Sequence, residues 1–222
     1  LNIKPEYADP HYNLGVTLQK LGKLDDALAS HQKALDIRPD YAEAHFNVGN
    51  LFQELGKLED ATNSYHRALA IKPAFVEAHY NLGTALWGLG KLEETVASYQ
   101  KAIDIKPDYA EAHNNLGNAL QDLGKPEEAI ASYHKALAIK PDYAEAQHML
   151  NSLTGNTTTA PPRGYVETLF DGYAGRFDDS LVRKLEYKIP FLMKEIIVEK
   201  SEPKQNVIIF FRRVIKEVHF AK

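Results

Sequence analysis

The segment VEAHYNLGTALWGLGKLEETVASYQKAIDIKPDY, residues 76–109, specifies the fold because its pattern recurs along most of the chain. Its tetrapeptide YNLG at Tyr80 is matched by YNLG at Tyr12, FNVG at Phe46 and NNLG at Asn114, with successive starts 34 residues apart. Copies that keep one register over such a distance indicate a repeat architecture. The predicted units are 8–41, 42–75, 76–109 and 110–143.

Each unit has the pattern of a helical hairpin. In the unit quoted above, Leu82 and Leu86 recur at helical spacing and Gly90 allows a turn. Val96 and Ile103 then belong to a second apolar stripe. A proline beyond the second helix stops that helix without breaking its internal hydrogen bonds. These prolines are Pro39, Pro73, Pro107 and Pro141. The sequence therefore predicts an all-α fold.

The unit resembles the tetratricopeptide repeat, and the resemblance covers residues 1 to about 153. The small residues typical of the family are Gly15, Gly49, Gly83, Gly117, Ala27, Ala61 and Ala129, with Thr95 as the one departure. The resemblance implies a right-handed α-solenoid of four full units with a partial unit at each end. LNIKPEY at 1–7 matches LDIRPDY at 35–41, so we expect 1–7 to be the tail of a preceding repeat in a longer array. Residues 144–153 are predicted to form a capping helix.

Histidine stands where the family usually has a tryptophan near the start of the unit. The four residues are His11, His45, His79 and His113. Successive units of a solenoid hold equivalent side chains too far apart to share one ion at the His–Zn distance of about 2.0–2.1 Å. We therefore expect these histidines to pack between helices, and we predict no metal site.

Composition excludes several functional classes. With 44% hydrophobic and 25% charged residues, the 222-residue chain is typical of a globular protein. No run reaches the roughly 18 to 20 apolar residues that span a bilayer, so we expect a soluble protein with no membrane partner. Cytoplasmic localisation is the default expectation. Cysteine is absent, which excludes disulfides, a thiolate zinc site and a cysteine nucleophile.

Charge divides the chain into two segments. Up to Gly155 there are 14 basic and 21 acidic residues, which gives a net charge of −7, whereas the 12 basic and 9 acidic residues that follow give +3. A protein that binds nucleic acid normally carries a clustered basic face. An acidic array with a mildly basic tail is a poor match, and we expect no nucleic-acid partner.

Asparagines recur on the predicted first helices, which in this family line a concave groove that usually binds an extended or helical peptide. This asparagine ladder consists of Asn13, Asn47, Asn81 and Asn115, joined one turn later by Asn50 and Asn118. An amide carries both donors and acceptors, so the ladder can bind the main chain of a peptide whatever its side chains are. Alternatively, each asparagine caps or bridges neighbouring helices, because buried amides need partners in any case. A similar ladder occurs in the repeat region of protein O-linked N-acetylglucosamine transferase, which these units resemble.

Aromatic residues share the same predicted helices. Tyr12, Phe46 and Tyr80 are candidate peptide contacts, and the alternative is packing within the core. The single tryptophan, Trp87, replaces the glutamine of the other units and is a stronger candidate because it breaks the repeat pattern. Chaperone-binding members of the family have clamp lysines beside such asparagines, and Tyr12, Phe46 and Tyr80 occupy those places here. We therefore do not expect a chaperone tail as the ligand.

The chain changes character after the repeats. Residues 154–164, TGNTTTAPPRG, are predicted to be a linker, followed by a short helical or irregular segment at 165–222. Within it, 165–190 resembles the lead-in of repeat-containing S-adenosylmethionine-dependent methyltransferases. The matching residues are Phe170, Asp171, Tyr173, Ala174, Phe177 and Asp178. No glycine follows Gly175, so the glycine-rich turn of the cofactor site is missing. We predict no catalytic residue and no cofactor in this chain, and S-adenosylmethionine only if a catalytic domain follows.

The sequence thus favours a scaffold that binds a peptide or partner protein in the groove of its repeats. An alternative is the substrate-recruiting part of a methyltransferase, and a third is the repeat region of a glycosyltransferase similar to the O-linked N-acetylglucosamine enzyme. The 165–190 pattern favours methyl transfer over glycosyl transfer. The partner cannot be identified from the pattern, because fold analogy does not specify function.

Overall fold

The computed structural model describes residues 7–156, which contain nine α-helices and no strand. The helices are α1 (Ala8–Lys20), α2 (Leu24–Ile37), α3 (Ala42–Glu54), α4 (Leu58–Ile71), α5 (Val76–Gly88), α6 (Leu92–Ile105), α7 (Ala110–Asp122), α8 (Pro126–Ile139) and α9 (Ala144–Thr154). The prediction of an all-α array is confirmed for this part of the chain. The tail of a preceding repeat, most of the linker and the whole 165–222 segment lie outside the described residues, so those predictions stay predictions.

Glycine sets the turn between the two helices of each hairpin. After α5, Gly90 has φ +73°, a left-handed backbone conformation that favours glycine. Its N–H donates to the carbonyl of Trp87, and the N–H of Lys91 reaches back to the carbonyl of Leu86 at 3.0 Å. These bonds satisfy carbonyls that the helix end would leave unpaired. The same turn recurs at Gly22, Gly56 and Gly124.

Within each hairpin, a helical glycine of the first helix faces an aromatic ring of the second. A Cβ placed on Gly49 of α3 would lie 2.5 Å from Cε1 of Tyr65 in α4, which is closer than real carbon atoms approach. The glycine therefore allows the two helices to pack around a fully buried ring. The equivalent pairs are Gly15 with His31, Gly83 with Tyr99 and Gly117 with Tyr133.

Small residues fill the rest of the hairpin interface. Ala61 and Ala68 of α4 are fully buried, as are their counterparts in α2, and α8 has the same pair. Thr95 takes this place in α6, where its hydroxyl donates to the carbonyl of Lys91 at 2.9 Å. The hydroxyl is thus satisfied inside its own helix, which explains why a polar residue is tolerated at the departure from the pattern.

The histidines of the first helices bond to the preceding turn. Nε2 of His45, His79 and His113 lies 2.9, 2.9 and 3.0 Å from the carbonyl oxygens of Pro39, Pro73 and Pro107. A carbonyl accepts, so each ring carries its proton on Nε2. The ring links the start of one hairpin to the end of the hairpin before it.

The first helices of successive hairpins, α1, α3, α5, α7 and α9, also contact one another through side chains. We call the surface that these five helices share the first-helix face. Among residues 7–156, no helix is long and apolar enough to cross a membrane.

Candidate functional site

Tyrosines from the second helices reach the first-helix face and hold its amides. Oη of Tyr65 lies 2.9 Å from both Asn50 Oδ1 and Gln53 Oε1 and shares its single proton between these acceptors. In the fourth hairpin, Tyr133 Oη donates to Asn118 Oδ1 at 2.6 Å. Both tyrosine side chains are fully buried, and burial raises the pKa of Tyr65. The hydroxyl therefore stays protonated and fixes which end of the amide points inward.

Part of the asparagine ladder bridges neighbouring hairpins. Asn81 Nδ2 donates to Asn50 Oδ1 at 2.8 Å, and Asn115 Nδ2 donates to the hydroxyl of Tyr80 at 2.9 Å. Asn118 Nδ2 donates to Glu145 of α9 at 3.3 Å. Bridging is one of the two roles that the sequence left open. Each asparagine amide has two N–H donors and two acceptor lone pairs, so a bridging bond leaves part of its hydrogen-bonding capacity available.

The ladder is looser at its start. The side-chain amide of half-buried Asn47 makes no hydrogen bond to any residue in 7–156, and Asn13 of α1 is exposed. In the second and fourth hairpins, an asparagine and a tyrosine form the inward-facing pair. The first hairpin has Val16 and His31 at those places, and valine can neither accept from a hydroxyl nor receive a bond from Asn47.

His31 is the polar residue that this substitution leaves without a partner. Its ring is fully buried, and neither ring nitrogen has a hydrogen-bond partner among the described residues. Burial lowers its pKa to about 4, because a charged imidazole would lose its hydration there. The ring centroid of Tyr12 lies 5.4 Å away. His31 is therefore neutral at pH 7 and contributes packing alone.

The aromatic candidates of the first helices lie between two other rings. Phe46 is 5.9 Å from Tyr65 and 4.8 Å from Phe75, measured between ring centroids. Tyr80 is 5.6 Å from Tyr99 and 5.0 Å from Tyr109. Tyr12 has the same surroundings in the first hairpin. These half-buried rings contribute to packing of the array, and their contact with a ligand stays a prediction.

Asn114 interrupts this series of rings in the fourth hairpin. It occupies the place of Tyr80 one unit later and is fully buried. Its Nδ2 donates to Asn115 Oδ1 at 3.3 Å, while its own Oδ1 has no partner within residues 7–156. An unpaired buried carbonyl is costly, so this is a weak point of the packing.

Trp87 lies at the end of α5, where it is partly exposed and bonded to the next first helix. Its Nε1 donates to Asp122 Oδ2 at 2.8 Å. Gln19 makes the equivalent bond, from Nε2 to Glu54 Oε1 at 2.7 Å. The tryptophan thus makes the same contact as Gln19 of the first hairpin and adds an aromatic ring to the first-helix face.

The tyrosines that hold the amides are not among the site residues predicted from the sequence. A signal was present: Tyr65, Tyr99 and Tyr133 each follow a polar residue of the first helix by 15 residues. That polar residue is Asn50, Thr84 or Asn118. In the first hairpin the same position holds the apolar Val16, and the tyrosine is replaced by His31. Exchange of both residues together marks them as a contacting pair.

Within residues 7–156, no three His, Asp or Glu side chains are grouped so that they could hold a metal ion. The first-helix face presents amides, carboxylates and aromatic rings, which are groups that bind ligands non-covalently.

Two family models match the chain. The model described as TPR repeat matches residues 18–56, 49–90 and 88–124, and the one described as Tetratricopeptide repeat matches 110–143. Together they cover 18–143, more than half of the 222 residues. A search of curated proteins finds no match.

Solved structures share the fold. A MamA protein superposes with a TM-score of 0.66 at 20% identity, over 90% of this chain and all of its own (100%). PilF of Pseudomonas aeruginosa gives 0.61 at 24% identity, over 68% of this chain and 69% of its own. The first TPR of Spaghetti (RPAP3), bound to the HSP90 peptide SRMEEVD, gives 0.53 at 26% identity, over 55% of this chain and 96% of its own.

Proposed function

Because the chain belongs to the tetratricopeptide-repeat family, we propose that it is a protein-interaction scaffold whose first-helix face binds an extended peptide segment of a partner. A structural neighbour that carries a bound peptide supports this kind of ligand.

The observation that carries the proposal is the fixed orientation of the Asn50 amide. Its Oδ1 faces inward to Tyr65 and also accepts from Asn81. Its Nδ2 donates to no group within residues 7–156, and Asn81 Oδ1 accepts none. A donor and an acceptor on neighbouring first helices are therefore available to an extended main chain, which presents both groups.

Preorganisation makes these amides suited to binding. An amide that is already held by a buried hydroxyl loses little side-chain freedom when a ligand binds. Asn47 adds a whole amide with no hydrogen bond among the described residues. Amide contacts to a main chain give binding with loose sequence preference.

The test starts from a library of 12-residue random peptides displayed on phage and selected on the full chain. For a selected peptide, Asn47→Ala and Asn81→Ala should each weaken binding roughly 2- to 12-fold, the equivalent of about 0.5–1.5 kcal/mol for one hydrogen bond. Fluorescence polarisation measures the affinity, and circular dichroism checks the fold.

Asn63→Ala is the matched control, because Asn63 is exposed on the second helix α4. It should bind the peptide as the parent chain does. Asn47→Ala is the cleaner of the two test variants, since Asn81→Ala also removes the bond to Asn50. Unchanged affinity in both test variants would rule out the first-helix face as the peptide site.

A second candidate function, recruitment of a substrate protein for an S-adenosylmethionine-dependent methyltransferase, rests on the sequence pattern from Phe170 to Asp178. The family matches end at residue 143, so this pattern is its sole support. Calorimetric titration of the full chain with S-adenosylmethionine tests whether any cofactor site is present. We expect no heat of binding if the chain acts only as a recruiting arm.

A further inference from the structure

Charge on the first-helix face is almost entirely negative. Its five helices contain Lys20 as their one lysine or arginine. Their carboxylates are Asp9, Glu43, Glu54, Glu77, Glu111, Asp122 and Glu145. A surface on which negative charge predominates attracts cations.

Most of this charge is not neutralised within the array. Asp9 pairs with Arg38 and Glu43 pairs with Lys72, both at 3.0 Å. The other five carboxylates form no ion pair with any residue in 7–156. The lysines nearest to them in the repeat pattern, Lys106 and Lys140, lie over aromatic rings at 4.9 Å from the ring centroids.

Trp87 marks one place on this face for a positive charge. Its N–H edge donates to Asp122, so the ring is held beside a carboxylate. The next residue, Gly88, has no side chain beyond hydrogen. The equivalent positions of α1, α3 and α7 hold Lys20, Glu54 and Asp122. A guanidinium or ammonium group is attracted both to the face of an indole ring and to a nearby carboxylate.

We propose that Trp87 and Asp122 form a subsite for an arginine or lysine side chain, and that the partner segment is an extended basic peptide. This inference rests on the proposed function and specifies its ligand. Alternate side chains of an extended peptide point the same way. The amides therefore bind the main chain while every second residue faces the carboxylates.

The experiment uses the full chain and three unlabelled 12-residue peptides in which serine alternates with arginine, glutamine or glutamate. Trp87 is the single tryptophan, so its emission reports directly on events at the subsite. Calorimetry gives the affinities. We expect the arginine peptide to bind at least tenfold more tightly than the glutamine peptide and to change the Trp87 emission, with weaker binding as salt rises from about 0.05 to about 0.5 M.

Variants separate the subsite from general charge attraction. Trp87→Gln installs the residue of the other units and should weaken arginine-peptide binding roughly 2- to 30-fold. Asp122→Asn should weaken it by a similar factor while keeping an acceptor for the indole. Asp104→Asn is the matched control, because Asp104 also accepts a side-chain N–H, from Gln100 at 2.9 Å, on the second helix α6. It should leave the affinity unchanged.

Several results would overturn the inference. Equal affinity for the arginine and glutamine peptides would show that the face binds peptides without a preference for basic residues. The proposed function would then stand and the basic subsite would not. Arginine-peptide binding with unchanged Trp87 emission would place the ligand elsewhere. Equal losses in Asp122→Asn and Asp104→Asn would reduce the effect to overall charge. If none of the three peptides binds, the basic-peptide subsite is also ruled out. The phage-library selection then tests the peptide-binding function independently.

Discussion

The first and second hairpins have the same backbone plan and differ in one buried pair. In the second hairpin, Tyr65 packs on Gly49 and its hydroxyl donates a hydrogen bond to Asn50. In the first hairpin, His31 packs on Gly15 in the same way. It makes no hydrogen bond to the first helix, because Val16 has no polar side-chain atom. A buried ring is therefore sufficient to pack the hairpin, whereas the tyrosine hydroxyl links the core to the first-helix face.

Removal of either buried ring should destabilise the chain more than any other change proposed below. Tyr65→Ala should lower the free energy of unfolding by about 3–5 kcal/mol, the usual loss for a large buried ring. His31→Ala should cost about half as much, since it also removes two unpartnered buried nitrogens. Urea titrations followed by circular dichroism compare the midpoints. Equal losses would mean that the unpartnered buried nitrogens of His31 carry no such cost.

A pH effect should distinguish the hairpins next. The folded chain holds the pKa of His31 at about 4, against 6.5 for an ordinary histidine. Protonation thus favours the unfolded state, and stability falls as pH drops from about 7 towards about 4, by about 2 kcal/mol at pH 5. His31→Phe keeps a buried ring and should remove this part of the pH dependence. Parallel stability curves for the parent and the variant between pH 7 and 5 would contradict the assignment.

The smallest effect concerns the hydroxyl itself. Tyr65→Phe should destabilise the chain by about 1–2 kcal/mol, because Asn50 and Gln53 both lose their inward donor. Tyr99→Phe is the internal reference and should cost about 0.5–1 kcal/mol, since the Tyr99 hydroxyl lies 3.1 Å from the flexible hydroxyl of Thr84 and does not hold an amide oxygen. Thermal unfolding of both variants measures the difference. The reverse order would show that the amide contact is not the stronger of the two.

The helical hairpins followed from the sequence because each depends on contacts that recur every 34 residues. Apolar spacing, the turn at Gly90 and the stop at Pro107 are local signals, and local signals repeat visibly. The close approach at Gly49 was likewise predictable, since a glycine inside a helix is disfavoured unless packing requires it.

The roles of the face residues were harder to predict, because periodicity shows that a residue recurs but not what it touches. Asn81 and Asn47 look identical in the repeat, yet one is bonded to Asn50 and the other has no side-chain hydrogen bond within residues 7–156. The partner of Trp87 is Asp122, which lies 35 residues away on another helix. Contacts between units depend on how neighbouring hairpins stack, and the sequence of one 34-residue unit does not reveal that geometry.

The contact between a helical glycine and its ring also bears on how such an array changes in length. Gly49, Asn50 and Tyr65 lie within one hairpin, so duplication or deletion of a whole unit leaves all three together. The bonds that cross a boundary, such as Asn81 to Asn50, re-form between any two copies that carry the same residues. The repeat is therefore a portable module, and an evolving or engineered gene can lengthen the binding surface by copying 34 codons without redesigning the core.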